Sequence, residues 1–441
     1  MKTIVLGGGV AGIAASVKLA RCGAEGELLE ASRKLGGRIA EIALPEGNFP
    51  PLDYGQHAIS TAYENFFNLL EIIGSRNEVT VNGEEKIIFT EKNGRHAEFN
   101  VGAHFYPFNL LDALFRLSHL TATEKIALLN FFIFIKRADP DKYKGKTFGE
   151  LSKQRKQGRL REKFWDKIIV SIFNTKAENV NAKLFLTVMR KIFFNGKAPP
   201  EIILPKKTLN AIVTMPAIEY LTRRNFTISF GERVLSLKTE RNKIIGIVTN
   251  KREITDFDYV ISALPPHALS NALPDDFSNL KRKLASLEYS PILTAYIKLK
   301  RNDLTERKYL LVNSTLDWLF NFGDYVAVVV SSSDIFNEAN EEEIKKRIIV
   351  ELNEFFSVFS NENVLSFVLV IIKKSTIMSD NLNYGLREQI DSPFNNLHFA
   401  GDWHGNVYPP TIENAVFTAY KAVEEICSRS LNLRTIQNIL Q

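Results

Sequence analysis

The hydrophobic pattern at the start of the chain predicts a strand, a tight turn, a helix and a second strand. An apolar run covers Thr3–Leu6, and the glycine-rich stretch Gly7–Gly12 follows it. The next stretch repeats apolar residues at helical spacing, and a second apolar run ends at Leu28–Leu29, directly before Glu30. A signal peptide is the competing interpretation, but the interrupting glycines and the acid-terminated strand argue against it.

Periodicity predicts further elements in the middle of the chain. An amphipathic helix is expected over Leu209–Arg223, and period-two alternation predicts a strand, a turn and a second strand over Phe226–Leu237. Lys243–Val248 is expected to form a hairpin with that second strand. Tyr259–His267 has the pattern of a buried strand ended by prolines, and Pro291–Lys374 is rich in strand patterns.

The region from Asn77 to Pro200 has a different character. A strand pair is expected over Val79–Phe99, and helical segments rich in Phe and Lys follow it. The expected fold class is α/β, with one discontinuous domain and an inserted α+β domain of mixed sheet and helices. The expected boundaries are 1–75, 203–285 and 386–441 for the discontinuous domain, and 76–202 and 286–385 for the inserted one.

The glycines of the first turn point to a bound dinucleotide. Gly7 is expected to make the tight turn, Gly9 to let the backbone approach a pyrophosphate, and Gly12 to let helix and sheet pack closely. The free N–H groups of the first helical turn, which includes Ala11, would then hold the diphosphate. Glu30, with Ala31 beside it, would take the hydroxyls of the adenosine ribose.

A second glycine pair narrows the cofactor to FAD. Gly36, Gly37 and Arg38 follow the second strand, and nicotinamide dehydrogenases do not usually need such a loop. Flavoproteins of the glutathione-reductase type resemble this stretch, and in them the loop folds over the FAD pyrophosphate. The guanidinium of Arg38 suits that role because it is always charged and binds phosphate oxygens bidentately; a surface arginine is the weaker alternative. We therefore predict a Rossmann-type FAD-binding domain.

A strand near the C-terminus is expected to complete the FAD site. The run Leu397–Gly401 leads into Asp402, which is placed to meet the ribityl chain or the pyrophosphate. A helix is expected to begin near Pro410–Thr411, since proline at a helix start loses no needed donor. The N–H groups around Thr411 and Ile412 would point at the pyrimidine end of the flavin and stabilise the negative charge of its reduced form.

Composition and charge limit the remaining functions. The chain has 441 residues, of which 45% are hydrophobic and 24% charged, and this suits two or three globular domains. The net charge of +6 is mild and no nucleic-acid motif accompanies it, so no nucleic-acid partner is expected. Cys22 and Cys427 lie far apart in the sequence and form no metal motif, so neither a disulfide framework nor a metal site is expected.

The apolar runs are too short to cross a membrane. The longest candidate, Ile126–Ile135, is about half the length that a spanning helix needs. We expect a cytoplasmic protein with a peripheral contact on the inner face of the membrane, because its positive charge suits an anionic lipid surface. The chain contains 31 phenylalanines, many between Phe99 and Phe194, which suit either an apolar core or an apolar cavity.

Over nearly its whole length the chain resembles the flavin amine oxidase and carotenoid desaturase superfamily. Within it, the chain is most similar to the hydroxysqualene dehydroxylase family, FAD-dependent desaturase-like enzymes of hopanoid pathways. The segments that carry the resemblance are GGGVAGIAASVKLA (7–20), LDYGQHAIS (52–60), FWDKIIVSIFNT (164–175), VISALPPHALSNALP (260–274), YSPILTAYIKL (289–299) and HFAGDWHGNVYPPTIENAV (398–416). Tyr408 departs from the family pattern, where a smaller aliphatic residue is common.

The resemblance implies reductive removal of a hydroxyl. Family members convert hydroxysqualene to squalene: acid-assisted loss of water leaves an allylic cation, and reduced FAD delivers a hydride to it. A long apolar isoprenoid is the implied substrate, and the Phe-rich region suits it. The resemblance also places Gly55, Gln56 and Val234 at the cofactor.

Candidate proton donors lie on two loops. His57 is the first candidate, because it follows the loop expected to line the flavin edge. His404 and Tyr408 on the C-terminal loop come next, and a histidine titrates in the useful range. Asp53 would either orient His57 or cap its loop. For both histidines, the competing interpretation is a structural role in which backbone groups satisfy the hydrogen bonds of the ring.

Three alternative functions stay open. Amine oxidation is disfavoured, because Thr294 falls where many amine oxidases place a lysine near the reactive flavin nitrogen. Carotenoid or phytoene desaturation is nearer, since it uses the same fold and an apolar substrate but moves hydride toward the flavin. A membrane-docked, non-enzymatic flavin module is the third, motivated by Ile126–Ile135 and the basic segment Lys153–Lys167. The electron donor, NAD(P)H or reduced flavin, is also open.

Overall fold

The computed structural model describes residues 1–42, 49–79, 86–92, 94–99, 112, 114, 116–194 and 201–430. Parts of the predicted domains, including 431–441 at the C-terminus, lie outside the described residues. Where the chain is described, the α-helices are α1 Val10–Arg21, α2 Glu64–Ile73, α3 Ala122–Arg137, α4 Phe148–Gln154, α5 Asp166–Phe173, α6 Ala182–Phe194, α7 Met215–Arg223, α8 Pro266–Ala272, α9 Ser278–Ala285, α10 Glu341–Phe355, α11 Asn381–Gln389 and α12 Ile412–Ser430.

The strands fall into two main sheets and three small ones. Their bounds are β1 Lys2–Leu6, β2 Glu25–Glu30, β3 Glu41–Ile42, β4 Leu52–Asp53, β5 Ile59–Ser60, β6 Ile87–Thr90, β7 His96–Phe99, β8 Ile202–Ile203, β9 Thr227–Phe230, β10 Val234–Glu240, β11 Lys243–Thr249, β12 Glu253–Ile254, β13 Tyr259–Ser262, β14 Tyr289–Leu299, β15 Lys308–Leu311, β16 Trp318–Asn321, β17 Val326–Ser331, β18 Val364–Ile377 and β19 Leu397–Phe399.

A five-stranded parallel sheet brings the distant parts of the chain together. Its order is β19-β13-β1-β2-β9, so β1 lies between strands from the start and the middle of the chain. Helices α1, α2, α7 and α12 cover one face in a common apolar core. The small antiparallel sheet β10-β11-β12 and helices α8 and α9 cover the other. Burial on both faces is the usual state of a parallel sheet, and it confirms the predicted α/β fold class.

A seven-stranded mixed sheet forms the second layer. Its order is β18-β14-β17-β16-β15-β6-β7, antiparallel except between β15 and β6. Helix α10 packs on one face, and the helical segment from α3 to α6 packs on the other. These strands belong to the segments predicted for the inserted domain; the domain boundaries themselves remain a prediction.

The phenylalanines of the helical segment fill a core. The indole of Trp165 lies 5.1–6.3 Å, between ring centroids, from the rings of Phe131, Phe132, Phe148, Phe164 and Phe185. All these side chains are fully buried. The high phenylalanine content was expected to serve either an apolar core or an apolar cavity, and this cluster is a packed core. Edge-to-face contacts between the rings add to the stabilisation from apolar burial.

Two segments form helices or strands that differ in detail from those predicted by the sequence pattern. Phe226–Leu237 does give strand, turn and strand, but β9 joins the parallel sheet beside β2 whereas β10 pairs with β11 in the small sheet. The predicted helix over Leu209–Arg223 begins with a wider π-helical turn at Asn210–Thr214 before α7. Pro216 lies at this join, and it has no N–H to donate to the preceding turn.

The two cysteines, distant in sequence, meet in the fold. Cys22 ends α1, Cys427 lies on α12, and both are free thiols. The hydrogen bond between them, together with nearby Lys18 and Arg21, lowers the pKa of Cys22 to about 7. Spacing along the sequence gave no sign of this pair, because the contact depends on the packing of α12 against α1.

Candidate active site

The glycine loop after β1 leaves room for a diphosphate. Gly7 has a φ of +96°, and a Cβ on Gly12 would lie 1.8 Å from the Gly7 carbonyl oxygen, so the third glycine permits the close helix–strand contact. A Cβ on Gly9 would meet nothing within 4 Å, so the space in front of α1 is open. No side chain caps this helix and its first turn, which contains Ala11, has no acid. These features fit a bound pyrophosphate.

Glu30 lies where an adenosine ribose would be held. One carboxylate oxygen accepts from the Gly8 N–H and the other from the Ser32 N–H, each at 2.7 Å. Each oxygen retains a further lone pair, so the carboxylate can still accept from a hydroxyl. Ala31, between Glu30 and Ser32 in the sequence, is exposed. The chain after β9 joins this corner, since the Glu232 N–H donates to the Glu30 carbonyl at 2.8 Å, and Val234 begins β10 two residues later.

The second glycine pair folds back on the first. The Gly36 N–H donates to the Gly8 carbonyl at 2.8 Å, and a Cβ on Gly37 would lie 3.4 Å from the Gly9 Cα. Both Gly36 and Gly37 have positive φ, +113° and +56°. Only glycine adopts the first of these without strain. The two loops therefore enclose the same space, as the FAD prediction requires.

Arg38 and Asp402 bind each other. The guanidinium donates to both carboxylate oxygens, at 2.6 and 2.7 Å, and also to the Ser375 carbonyl. Sequence reasoning gave these side chains separate roles toward the pyrophosphate and the ribityl chain. The Arg38 side chain keeps 45% of its surface exposed, so it remains able to reach a phosphate while Asp402 holds it.

The C-terminal loop is fixed by side chains of α12. Thr418 accepts from the Gly401 N–H at 2.9 Å, and the Asn414 amide donates to the Asp402 and His404 carbonyls, both at 2.9 Å. The helix begins at Ile412, close to the predicted start near Pro410–Thr411, and Pro410 lies two residues before it. Thr411 stands at the cap position, where its hydroxyl accepts from the Asn414 N–H at 3.4 Å.

The loop that carries His57 lies against the long strand β14. Gly55 has a φ of +103°, and a Cβ there would lie 3.1 Å from the Ile372 side chain. The Gln56 N–H donates to the Thr294 hydroxyl at 3.3 Å. Thr294 therefore contacts the loop that the resemblance places at the flavin.

His57 has a free ring nitrogen. Its Nδ1 lies 3.9 Å from the Asp53 carboxylate, beyond hydrogen-bond distance, and has no partner among the described residues. Asp53 instead accepts from the Leu209 N–H at 2.9 Å, and its carbonyl accepts from the Tyr296 hydroxyl at 3.0 Å. Of the two roles considered for Asp53, these bonds favour fixing the loop.

His404 lies in an apolar environment away from His57. Its ring contacts Phe399 and Trp403, with centroids 5.9 and 5.7 Å away. Burial lowers the pKa of His404, so the ring is neutral near pH 7. A neutral imidazole is a weak proton donor, and this disfavours His404 as the acid.

Tyr408 stands beside cationic groups that sequence reasoning missed. The Lys191 ammonium lies 4.0 Å above its ring, and burial lowers the pKa of this lysine. Arg387, 1% exposed, donates to the Tyr408 carbonyl at 3.0 Å. Desolvation lowers the pKa of Arg387 to about 10, and its Nε and Nη1 have no partner in the described part of the chain. No sequence pattern signals either residue, because both reach Tyr408 through the fold.

The described residues contain no group of three or more His, Cys, Asp or Glu side chains arranged to hold a metal ion. In the same residues, no helix is both long and apolar enough to cross a bilayer.

Comparisons with known proteins agree with this geometry. The chain is 24% identical to a zeta-carotene desaturase of Synechocystis over 99% of this chain and 99% of that one. It is also 24% identical to a hydroxysqualene dehydroxylase of Zymomonas mobilis, over 97% and 99% of the two chains. A solved oxidoreductase from Methanosarcina mazei superposes with a TM-score of 0.71 at 17% identity, covering 96% of this chain and 100% of that one.

A sequence profile of the flavin containing amine oxidoreductases matches residues 10–427. This match begins at Val10, inside the first glycine turn, and it includes the second glycine loop and the C-terminal strand and helix that enclose the cofactor space. It also argues against the hypothesis that the protein is a flavin-binding module without enzymatic activity. The chain belongs to the flavin containing amine oxidoreductase family and is an FAD-dependent oxidoreductase.

Proposed function

We propose that the protein removes the hydroxyl of hydroxysqualene reductively and releases squalene, as a step of squalene or hopanoid biosynthesis. The observation that carries the proposal is similarity along the full chain to proteins named hydroxysqualene dehydroxylase, from three organisms at 21–24% identity. Zeta-carotene desaturases are equally similar in identity, so the common property of the relatives is a long isoprenoid substrate.

The residues at the loop of His57 support an apolar substrate. Thr294 is buried and neutral, so this position offers no ammonium group for amine chemistry. Ile292 and Ile372 lie beside it on paired strands and add apolar surface. FAD, when reduced, supplies a hydride. The protein's part is to exclude water and to hold the substrate hydroxyl near a proton donor.

We assign the proton transfer to His57. Its Nδ1 is buried and has no hydrogen-bond partner in the described part of the chain, and a buried nitrogen of this kind is costly unless a ligand satisfies it. Protonated His57 would donate to the departing hydroxyl, which leaves as water. Tyr408 is the second candidate, but burial raises the pKa of its hydroxyl and makes it the weaker acid. The electron donor remains NAD(P)H or a free reduced flavin.

The test is anaerobic single turnover. The purified holoenzyme is reduced with dithionite and mixed with hydroxysqualene, and we expect flavin reoxidation with formation of squalene by mass spectrometry. Reduced enzyme mixed with squalene is the control and should stay reduced. No reoxidation with hydroxysqualene would contradict the proposal.

Desaturation is the second candidate, favoured by the 24% identity to the Synechocystis zeta-carotene desaturase over 99% of this chain. It predicts the opposite redox change. Oxidised enzyme mixed with phytoene or zeta-carotene under anaerobic conditions should then be bleached, and the product should contain an additional double bond. A bleaching response without any response to hydroxysqualene would replace the first proposal by the second.

A further inference from the structure

The excess positive charge of the protein is concentrated in one segment. Residues 122–163 contain twelve Lys and Arg against five Asp and Glu, a net charge of +7, whereas the whole chain has +6. The other residues together are therefore close to neutral. The segment comprises α3, α4 and the turns around them.

Part of this charge is free of protein partners. Arg161 pairs with Asp166, and Lys163 with Glu124. Lys153, Lys156 and Arg159, at the end of α4 and in the turn after it, are exposed and form no ion pair within the described residues. These three cations are available to an external anionic partner.

Helix α3 presents apolar side chains next to these cations. Leu128, Phe131, Phe132 and Ile135 enter the aromatic core, as an amphipathic helix requires. Ile126 and Ile133 lie two turns apart on the opposite face and are 60% and 38% exposed. The exposed face of this helix thus carries two isoleucines, with the polar Asn130 between them.

A groove separates helix α3 from the basic turn. It has a volume of about 370 Å³ and lies between Ala127, Asn130 and Phe134 of α3 and the stretch 154–157. The guanidinium of Arg155 lies 3.7 Å from the centre of the Phe134 ring and donates to the Tyr143 hydroxyl at 3.2 Å. These contacts hold the cation at the edge of the groove.

We infer that this surface, formed by the exposed face of α3 and the turn 153–159, docks the enzyme on an anionic bilayer. Cations bordering exposed isoleucines match the interface of such a bilayer, where phosphates lie above acyl chains. A nucleic acid would use the cations but not the isoleucines. The inference goes beyond the proposed reaction, since it holds for any isoprenoid that dissolves in the membrane.

The experiment is co-flotation of the full-length holoenzyme with vesicles. Vesicles of phosphatidylcholine alone are compared with vesicles containing about 30% phosphatidylglycerol, at low and high salt. We expect binding to the anionic vesicles that weakens with salt. Replacing three cations, in Lys153→Gln/Lys156→Gln/Arg159→Gln, should weaken it by on the order of 100-fold. Ile126→Ser/Ile133→Ser should weaken it by about tenfold, and high salt should not remove this difference.

Matched controls lie on other surfaces. Lys243, Lys346 and Arg347 are exposed basic residues elsewhere, and Val350 is a 55% exposed apolar side chain on α10. The variants Lys243→Gln/Lys346→Gln/Arg347→Gln and Val350→Ser should bind vesicles like the wild type. Equal binding by the wild type and both docking-surface variants would overturn the inference, and so would binding to tRNA without binding to vesicles.

A second readout separates docking from chemistry. None of the docking-surface variants touches the loops of the active site, so turnover of detergent-dispersed substrate should equal that of the wild type. Turnover from vesicles should fall with vesicle binding. If the protein floats with vesicles but no substrate reacts, the proposed reaction fails and the docking surface stands. If substrate turns over but the protein does not float with vesicles, the docking surface fails and the proposed reaction stands.

Discussion

The two ends of the candidate site are built in different ways. At the nucleotide end, the turn Gly7–Gly12, Glu30 and the pair Gly36–Gly37 act through backbone geometry within one strand–helix–strand unit. At the proposed catalytic end, the loop of His57 meets the distant Thr294 through the Gln56 N–H, and Tyr408, the second proposed donor, lies beside Lys191. The first end binds a part common to all its relatives, whereas the second must fit one substrate.

This difference explains what each end tolerates. A glycine at a close contact has no substitute, because the clash of a Cβ is fixed by the backbone. A proton donor has substitutes, because a water or another side chain can deliver the proton at lower rate. We therefore expect changes at the nucleotide end to remove the cofactor and changes at the catalytic end to slow an enzyme that keeps it.

The largest expected effect is that of Gly12→Ala. The new Cβ would lie 1.8 Å from the Gly7 carbonyl oxygen, so α1 must move away from β1 and the diphosphate site opens. Purified protein should contain less than about a tenth of the wild-type flavin, measured by absorbance after denaturation. Gly385→Ala is the control, since a Cβ there meets nothing within 4 Å; it should keep its flavin and gain about 0.5–1 kcal/mol of stability. Normal flavin content in Gly12→Ala would contradict this account of the turn.

The next effect separates the two histidines. His57→Ala should keep its FAD but slow flavin reoxidation by hydroxysqualene by about 100-fold, the usual contribution of a general acid. His404→Ala should slow it by less than about tenfold, because burial keeps His404 neutral. Stopped-flow absorbance measures both. His267 is exposed, and His267→Ala serves as the control that should reoxidise at the wild-type rate. If flavin reoxidation were slower in His404→Ala than in His57→Ala, the proton donor would be His404 and not His57.

A smaller effect is expected from Asp402→Asn at the boundary between the two ends. The change replaces a charged bidentate partner of Arg38 by a neutral one. It should weaken FAD binding by about tenfold, a loss of on the order of 1–2 kcal/mol, measured by fluorescence quenching on reconstitution of the apoprotein. Asp276→Asn, at an exposed carboxylate without an ion pair in the described residues, should bind FAD normally. If Asp402→Asn also binds FAD with wild-type affinity, the ion pair between Arg38 and Asp402 is not part of the cofactor site.

The pH dependence of stability tests the burial of His404. Burial lowers the pKa of this histidine below its ordinary value of 6.5, so the unfolded chain binds the proton more readily than the folded one. The wild type should lose stability as the pH falls through 6.5, and His404→Gln should lose less over the same range. Chemical denaturation at pH 7.5 and at pH 5.5 measures the difference. Equal losses in both proteins would show that His404 is not the group responsible.

The smallest expected effect is that of Thr294→Val. This change keeps the shape but removes the acceptor of the Gln56 N–H, a long bond of 3.3 Å. A cost of about 1 kcal/mol and a change of a few-fold in kcat/KM for hydroxysqualene are expected. The exposed Thr305, in Thr305→Val, should give no change. A loss as large as that of His57→Ala would make Thr294 a catalytic residue in its own right.

The α/β fold, the FAD cofactor and the membership of an oxidoreductase superfamily could all be predicted from the amino-acid sequence. These follow from Gly7, Gly9, Gly12, Glu30 and the Gly36–Gly37 pair, whose roles depend on local backbone geometry and so leave a pattern at fixed spacing. The apolar periodicity predicted the five strands of the parallel sheet, β1, β2, β9, β13 and β19. It could not tell that β9 and β10 enter different sheets, because pairing partners are not encoded in a strand's own pattern.

The neighbours of the other site residues could not be predicted from the sequence, because packing of distant segments sets them. The tertiary structure paired Arg38 with Asp402, turned the Asp53 carboxylate toward the Leu209 N–H, and buried His404 among aromatic rings. It also placed Lys191 over the ring of Tyr408. Each result depends on residues far apart in the chain, and a pKa or a hydrogen bond is set by the groups that the fold brings near and by the water that it excludes.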